Sequence, residues 1–426
     1  MANPRLNSAK ILQTILESKV FFSELKKQIP EKDLPFCNML ILTTLRNWCG
    51  LNEVLHKFLQ KKIPNKHRLA QYQLLAAITE ILFMETAPYA VINETVANIK
   101  KSCDKFLGGM ANAVLRKVVA QKPELLTEIT QTSPLPTTFL PILKGYSAED
   151  IKQIVASVRL IPPTDITVKT NPAEWQKKLN GTLLPNGSIR LQNIKKIHEL
   201  PDYNAGQWWV QDAAASLPVM AMGDIRGLKV VDLCAAPGGK TAQLAARGAN
   251  VTALDISEVR LNTLKQNMQR LGFENIRTFY EDALHFMQTT EDKFDAVLLD
   301  APCSATGTFR RHPEVLHIKT AEDVQTQVQL QKQMLTLCKN ILKSKGILLY
   351  SVCSICQAEG EMQIADFLQQ NSDFKIVPIT DKDIAVYGKW NDCLILPNGT
   401  VRTLPFYEST KNGMDSFFIC KMQRII

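Results

Sequence analysis

The chain has 426 residues, of which 45% are hydrophobic and 21% charged, a composition that fits roughly two to four globular cores and excludes a disordered, collagenous or single-domain protein. No apolar run approaches the roughly 18 residues needed to cross a bilayer, and the opening MANPRLNSAK lacks the apolar centre of a signal peptide, so a cytoplasmic protein that does not meet a membrane is expected. Lys and Arg outnumber Asp and Glu by 18 to 11 over residues 1–140 and by 9 to 7 over 141–220, and are balanced at 23 each over 221–426; a basic module joined to a neutral one suggests that one part grips a polyanion while the other does chemistry.

Residues 5–122 read as helices. Leu69, Tyr72, Leu74, Leu75, Ile78, Ile81 and Leu82, and then Val91, Ile92, Val96 and Ile99, recur at helical spacing between turn signals. From Lys122 to Pro141 the chain carries Pro123, Pro134, Pro136 and Pro141, a composition expected to form a linker rather than a helix. Residues 142–220 are mixed, with a helix near Ser147–Leu160, a break at Pro162-Pro163 and an alternating run at Ile166–Val168. From Leu228 short β-branched runs alternate with amphipathic segments. Strands are expected at Leu228–Leu233, Asn250–Asp255, Ile276–Tyr280, Phe294–Asp300, Gly346–Val352 and Ser416–Lys421, with the clearest helix at Ser257–Leu271. That alternation predicts a parallel, doubly wound α/β sheet whose ligands bind at the carboxyl ends of its strands. The expected domains are 1–135, a basic helical bundle; 136–220, a linker and small α+β subdomain; and 221–426, an α/β domain.

Ten cysteines scattered singly from Cys37 to Cys420 are too sparse for a disulfide scaffold. The first strand of the last domain runs into Asp232-Leu-Cys-Ala-Ala-Pro-Gly-Gly-Lys-Thr241, where two glycines between strand and helix let backbone approach a ligand. A phosphate-binding P-loop would need glycine where Cys234 stands, and a dinucleotide fingerprint would need a third glycine. What remains is a loop beneath a nucleoside-like ligand, with Asp255 placed to accept from ribose hydroxyls and Asp282 to accept from an adenine amino group. The next two strands end in Asp300-Ala-Pro302-Cys303-Ser304 and Tyr350-Ser-Val-Cys353-Ser354, so two thiols stand at the ligand-binding rim. Cys353 and Cys356 also spell C-x-x-C, but zinc needs a second ligand pair that the isolated remaining cysteines do not supply, and no metal is expected.

From Val210 onward the chain resembles the RNA cytosine-5 methyltransferase family, whose methyl donor is S-adenosylmethionine (SAM). The likeness is carried by the loop Cys234, Ala235, Ala236, Pro237, Gly238, Gly239 and Lys240, by Asp255, Asp282 and Asp300, by the two cysteine motifs, and by Val210-Gln211-Asp212 and Phe309-Arg310-Arg311-His312-Pro313-Glu314. The helical part is similar to the NusB antitermination factor through Ala87-Pro-Tyr-Ala-Val-Ile-Asn93-Glu94 and Gly109-Met-Ala-Asn112-Ala-Val-Leu115-Arg116. Two positions depart from the family: Val352 stands where Thr is usual, and Glu359-Gly360-Glu361 stands where Glu-Asn-Glu is usual.

The resemblance implies a multidomain fold: an all-α NusB-like bundle, a small α+β subdomain and a Rossmann-like SAM-dependent methyltransferase domain. It implies that the loop 234–240 with Asp255, Asp282 and Asp300 holds SAM, and that the substrate is small-subunit (16S) rRNA met before full subunit assembly, by a monomer. By the same resemblance Cys353 is the nucleophile on carbon 6 of cytosine, a choice that spacing alone leaves open between it and Cys303. Cys303 would then help remove the carbon-5 proton, Asp300 would hold the exocyclic amino group or N3 of the base, and Lys240 would position Asp300 or lower a thiol pKa. Arg310, Arg311 and His312 are candidates for flanking phosphates. Lys61, Lys62, Lys66, Arg68, Lys100, Lys101, Lys105, Arg116 and Lys117 are candidates for RNA contact, and Trp208 and Trp209 are expected in a core. A non-catalytic RNA-binding or assembly factor, and methylation of tRNA or DNA, are the competing readings.

Overall fold

The structure is a computed structural model that describes residues 3–425 except Asn193, Lys195 and Asn275. The chain forms two compact units: one holds the residues up to Pro141 with Ala148–Arg159 and Phe309–Thr320, the other holds Ile142–Ser147, Leu160–Thr308 and the chain from Ala321 onward.

The first unit is helical, with helices at Pro4–Ser18, Leu34–Arg46, Trp48–Phe58, Arg68–Phe83, Pro88–Ser102, Leu107–Ala120 and Lys122–Gln131. Helix Arg68–Phe83 runs through its centre and buries Leu74, Leu75, Ile78 and Ile81. It also buries Glu80, whose charge is met by a bidentate Arg5 at 2.8 and 2.7 Å. Residues 122–131 correct the expected linker. Pro123 sits in the first turn, where a helix has no use for the missing N–H, so the segment is helical until Gln131, and the other three prolines fall beyond it. All nine basic residues named above are exposed.

The expected middle domain is also divided differently. Helix Ala148–Ser157 belongs to the helical unit, where Arg159 just beyond it caps a helix end by donating to the carbonyls of Ile129 (2.6 Å) and Thr132 (2.7 Å). Phe309–Thr320 joins the same unit. Phe309 and Arg310 are fully buried, Arg46 donates to the Arg310 carbonyl (2.8 Å), and Glu314 accepts from the Phe22 N–H (3.1 Å). His317 donates from Nε2 to the Leu45 carbonyl at 2.9 Å, and burial pushes its pKa down to about 4, so the ring packs as a neutral group.

In the second unit, strands β1 (Thr164–Val168), β2 (Thr182–Leu183), β3 (Ile189–Leu191) and β4 (Trp208–Val210) form an antiparallel sheet of order β2-β3-β1-β4. Trp208 and Trp209 are core residues, as expected. Arg190 on β3 is buried beside Asp165 on β1, with both of its bonds to that carboxylate at 2.7 Å, and it also donates to the carbonyls of Lys411 (2.6 Å) and Gly413 (2.7 Å).

The large sheet holds β5 (Lys229–Asp232), β6 (Asn250–Asp255), β7 (Ile276–Tyr280), β8 (Phe294–Asp300), β9 (Leu342–Val352), β10 (Phe374–Ile376), β11 (Val401–Arg402) and β12 (Phe418–Arg424) in the order β10-β12-β9-β8-β5-β6-β7, with β11 also on β12. Helices cover both faces. Ala213–Ala221, Gly239–Ala246 and Glu258–Arg270 pack one core, and Ala283–Thr289, Ala321–Ile341 and Glu361–Gln370 pack the other. Strands β5 to β9 are parallel, but β12 runs antiparallel between β9 and β10, so the sheet is mixed where a parallel one was expected. The cause is a tertiary contact: Ser416 N–H bonds the Gly307 carbonyl at 2.9 Å, which holds the chain at the carboxyl end of β9. Strand β12 therefore starts with Phe418 opposite Val352 and can only run back.

Among the described residues no helix is long and apolar enough to cross a membrane. Arg190→Ala leaves Asp165 as a buried charge without its cation, so a loss of about 3–5 kcal/mol is expected, read as a lower urea midpoint; an unchanged midpoint contradicts a structural role for the pair.

Candidate active site

Strand β5 ends in Asp232 and enters the loop 233–238, after which helix Gly239–Ala246 begins. Gly238 takes φ +104°, and a Cβ there would approach Leu264 Cγ at 3.0 Å and Met268 Cε at 3.1 Å, so the loop lies directly on helix Glu258–Arg270 and only glycine fits. Asn267 ties it down from the same helix by donating to the Pro237 carbonyl (3.0 Å). Asp255 at the end of β6 fixes the other side: Oδ2 accepts from Ala236 N–H (3.0 Å) and Oδ1 from Ser257 N–H (2.9 Å). Each oxygen keeps a second lone pair, so a ribose hydroxyl still has an acceptor. Asp282 caps helix Ala283–Thr289, with Oδ1 accepting from Leu284 N–H (2.6 Å) and His285 N–H (3.3 Å).

Residues 234–240 line a cavity of about 490 Å3 together with Asp232, Asp300, Gln211 and Trp209. Asp255, Asp282, Cys303 and Cys353 stand outside its lining. Gln211 orders the wall, accepting from Thr167 Oγ1 (3.0 Å) and Trp209 Nε1 (2.9 Å) and donating to the Ala215 carbonyl (3.1 Å). Asp232 accepts from Thr241 Oγ1 (2.8 Å) through Oδ2, while its buried Oδ1 has no hydrogen-bond partner among the described residues. Burial, and then the nearby charge of Asp300, push the Asp232 carboxyl up to about 7. A cationic sulfonium donor with an amino-acid tail suits this cradle of carboxylates, glycines and helix N–H groups.

Asp300 at the end of β8 is held from both sides. Lys240 donates to Oδ2 and Ser351 Oγ to Oδ1, each at 2.7 Å. Burial opposes the charge on Lys240, yet attraction from Asp300, Cys353 and Asp232 keeps it above its ordinary value, and its ammonium lies 5.1 Å from the centre of the Phe417 ring. Beyond the strand ends, Cys303 Sγ and Cys353 Sγ are 3.3 Å apart. The bond to Cys353, followed by burial and then the charge of Cys353, raises the Cys303 thiol well above its usual range.

Arg310 is placed otherwise than expected. Its side chain is fully buried, out of reach of a phosphate. Arg311 and His312 in the same segment are half-buried, and His312 Nδ1 lies 3.4 Å from Glu314 Oε1. Four residues of the site escaped the sequence reading. Ser351 and Gln211 lie inside motifs that carry the family resemblance without a role of their own, Phe417 comes from the distant segment leading into β12, and Glu359 stands beside the Gly360 departure, where it matches the family pattern. The Gly360 departure has a physical reason: a Cβ there would meet Arg402 Nη2 at 2.4 Å and Phe418 Cγ at 2.8 Å, so no side chain fits.

The Asp232 carboxyl binds its proton more tightly in the folded chain than its ordinary value of 3.8 allows in the unfolded one, so ionising it costs stability, with no penalty below about pH 4 and the full penalty above about pH 7. In donor-free protein, Asp232→Asn is expected to gain thermal stability over the parent chain progressively between these limits; a difference in melting midpoint that stays flat with pH contradicts this.

A family model described as 16S rRNA methyltransferase RsmB/F matches residues 222–423, and the NusB family model matches residues 2–120. The chain is 30% identical over 393 residues to ribosomal RNA small subunit methyltransferase B of Escherichia fergusonii, covering 88% of this chain and 92% of that protein, and is equally similar to the protein of that name in Shigella sonnei. Among solved structures, that of PH0851 has a TM-score of 0.77 at 21% identity with both chains fully covered. A methyltransferase homolog protein from Pyrococcus horikoshii has a TM-score of 0.53 at 27% identity, covering 67% of this chain and 97% of that one. A SAM-dependent methyltransferase domain joined to a NusB domain, aligned with these relatives over most of its length, places the chain in the RsmB/F family of 16S rRNA methyltransferases.

Proposed function

We propose that the enzyme methylates carbon 5 of a cytosine in 16S rRNA through a covalent bond between Cys353 and the base, and that it acts as a monomer on rRNA before the small subunit is fully assembled. The observation that supports this best is the thiol pair 3.3 Å apart beside the Asp300–Lys240 ion pair. Carbon 5 of cytosine is a weak nucleophile, and a thiolate added to carbon 6 makes it an enamine carbon, which is covalent catalysis in the ordinary sense. SAM, when bound, supplies the electrophilic methyl group.

The remaining work falls to side chains. Loop 234–240 and Asp300, which line the cavity, hold the donor, and Asp255 and Asp282 at the ends of the neighbouring strands are assigned its ribose and adenine. Asp300, fixed by Lys240 and Ser351, faces the amino group and N3 of the base. Lys240 supplies positive charge near the Cys353 thiolate. Release requires that a proton leave carbon 5 and that the carbon 6–sulfur bond break, returning its electron pair to Cys353. Once Cys353 is bonded to carbon its charge and its hydrogen bond are gone. The largest influence keeping the proton on Cys303 disappears with them, and Cys303 is the group we assign to assist removal of the carbon-5 proton. The target base must be single-stranded or flipped out to reach these groups, and the exposed lysines and arginines of the helical unit are the candidates for phosphate contact elsewhere on the RNA.

With tritiated SAM and unmethylated 16S rRNA, label is expected in 5-methylcytosine on nucleoside analysis; intact SAM binding with no incorporation would instead support an assembly factor without turnover. Cys353→Ala is expected to abolish transfer. Cys303→Ser is expected to accumulate an RNA adduct that survives denaturing electrophoresis, and an adduct trapped by removing Cys353 in its place would reverse the two roles.

A further inference from the structure

Glu359 lies in the turn Gln357–Glu359, just beyond the Cys353 loop, and is fully buried. Ser304, which follows Cys303, donates its main-chain N–H to Oε1 at 2.8 Å and its hydroxyl to Oε2. Ser354, which follows Cys353, donates its hydroxyl to the same Oε2. Gln331 Nε2 reaches Oε1 at 3.0 Å and the Pro302 carbonyl at 2.9 Å. Thr306 Oγ1 closes the cluster, 2.9 Å from Ser304 Oγ and 3.0 Å from Ser354 Oγ. An isolated buried carboxylate is expensive, and its retention requires donors on its lone pairs. Here those donors come from both thiol-bearing turns.

We propose that Glu359 is the positioning residue of the thiol pair: one carboxylate grips the residue after each cysteine and so sets the approach of the two sulfurs. The proposal rests on the assignment of Cys353 as nucleophile and Cys303 as release thiol, and it deepens that reading. The charge has a second consequence. After the bond to Cys353, burial and the charge of Cys353, the negative charge of Glu359 adds to what keeps the Cys303 thiol protonated. Glu361 does not share the role, being paired with Arg402, whose Nε lies 2.9 Å from Oε1.

Glu359→Gln keeps the shape and one acceptor for the Ser304 N–H but removes the charge. For the full chain acting on unmethylated 16S rRNA, kcat is expected to fall about 10- to 100-fold, as a sub-ångström to ångström misplacement of reacting groups would cause. KM for SAM and RNA should stay within about two-fold, since Glu359 lies outside the cavity. Alkylation of Cys303 by iodoacetamide, followed by peptide mass spectrometry, should shift to lower pH in Glu359→Gln. Glu359→Asp, with its charge kept but its reach shortened, should retain the native alkylation profile and still lose rate. Native kcat with an unshifted profile in Glu359→Gln overturns the proposal. If that variant loses its thermal transition, Ser304→Ala and Ser354→Ala each cut one arm: a lowered kcat in both is expected, and full activity in both overturns it. Cys353→Ala separates the two levels. Transfer surviving in that variant defeats the nucleophile assignment, whereas its loss alongside full activity in Glu359→Gln defeats only the role of Glu359.

Discussion

The site depends on the register of two parallel strands. Asp300 on β8 lies opposite Ser351 on β9, and the seryl hydroxyl bonds the carboxylate across the pair at 2.7 Å. Because side chains alternate faces along a strand, a slip of one residue would turn Ser351 away from Asp300 and separate the turns that follow. From that registered pair, β8 continues through Pro302 to Cys303 and β9 through Val352 to Cys353. The thiols meet because the strands beneath them are aligned. Gly307 reinforces the alignment, its N–H donating to the Cys353 carbonyl at 3.0 Å, and it must be glycine, since a Cβ there would lie 2.1 Å from the Ser416 carbonyl oxygen.

Charge is distributed over this frame with a purpose that burial makes visible. Asp232, Asp255 and Asp300 end three neighbouring strands, and one lysine, Lys240, stands among them. Burial, with the charges of Asp300 and Asp255 added to it, holds the Asp232 carboxyl well above its ordinary value. A positively charged donor relieves that repulsion, which is a reason for the pocket to bind a sulfonium in preference to a neutral nucleoside. Glu359 is a carboxylate of another kind, fully buried, outside the cavity lining and met by donors from both cysteine turns and from Gln331.

The segment Phe309–Thr320 changes how the helical unit is understood. It follows the Cys303 motif directly, yet it belongs to that unit, and its Phe309, Arg310, Val315 and Leu316 are buried. Arg46, buried and lowered to about 10 mainly by that burial, bonds the Arg310 carbonyl, and Glu314 supplies the opposing charge. The helical unit is thus completed by residues distant in sequence, and Arg46 and Arg310 are buried where composition alone would assign arginines to an RNA surface.

What the amino-acid sequence determined by itself was local and chemical. The strands ending at Asp255, Tyr280 and Asp300, the helix after Ser257, the loop glycines and the two cysteine turns were all legible, because each depends on periodicity, capping and turn chemistry within a few residues. The RNA family and the methyl donor were likewise legible from contiguous motifs. Tertiary structure alone decided the rest. The strand β12 runs antiparallel because Ser416 is held beside Gly307, and the segment after the Cys303 motif is tied to the helical unit because Arg46 and Phe22 bond Arg310 and Glu314. Glu359 is a clasp because Ser304 and Ser354 arrive from two different strands. Each of these outcomes turns on groups far apart in the chain, whose burial and hydrogen bonding no local pattern encodes.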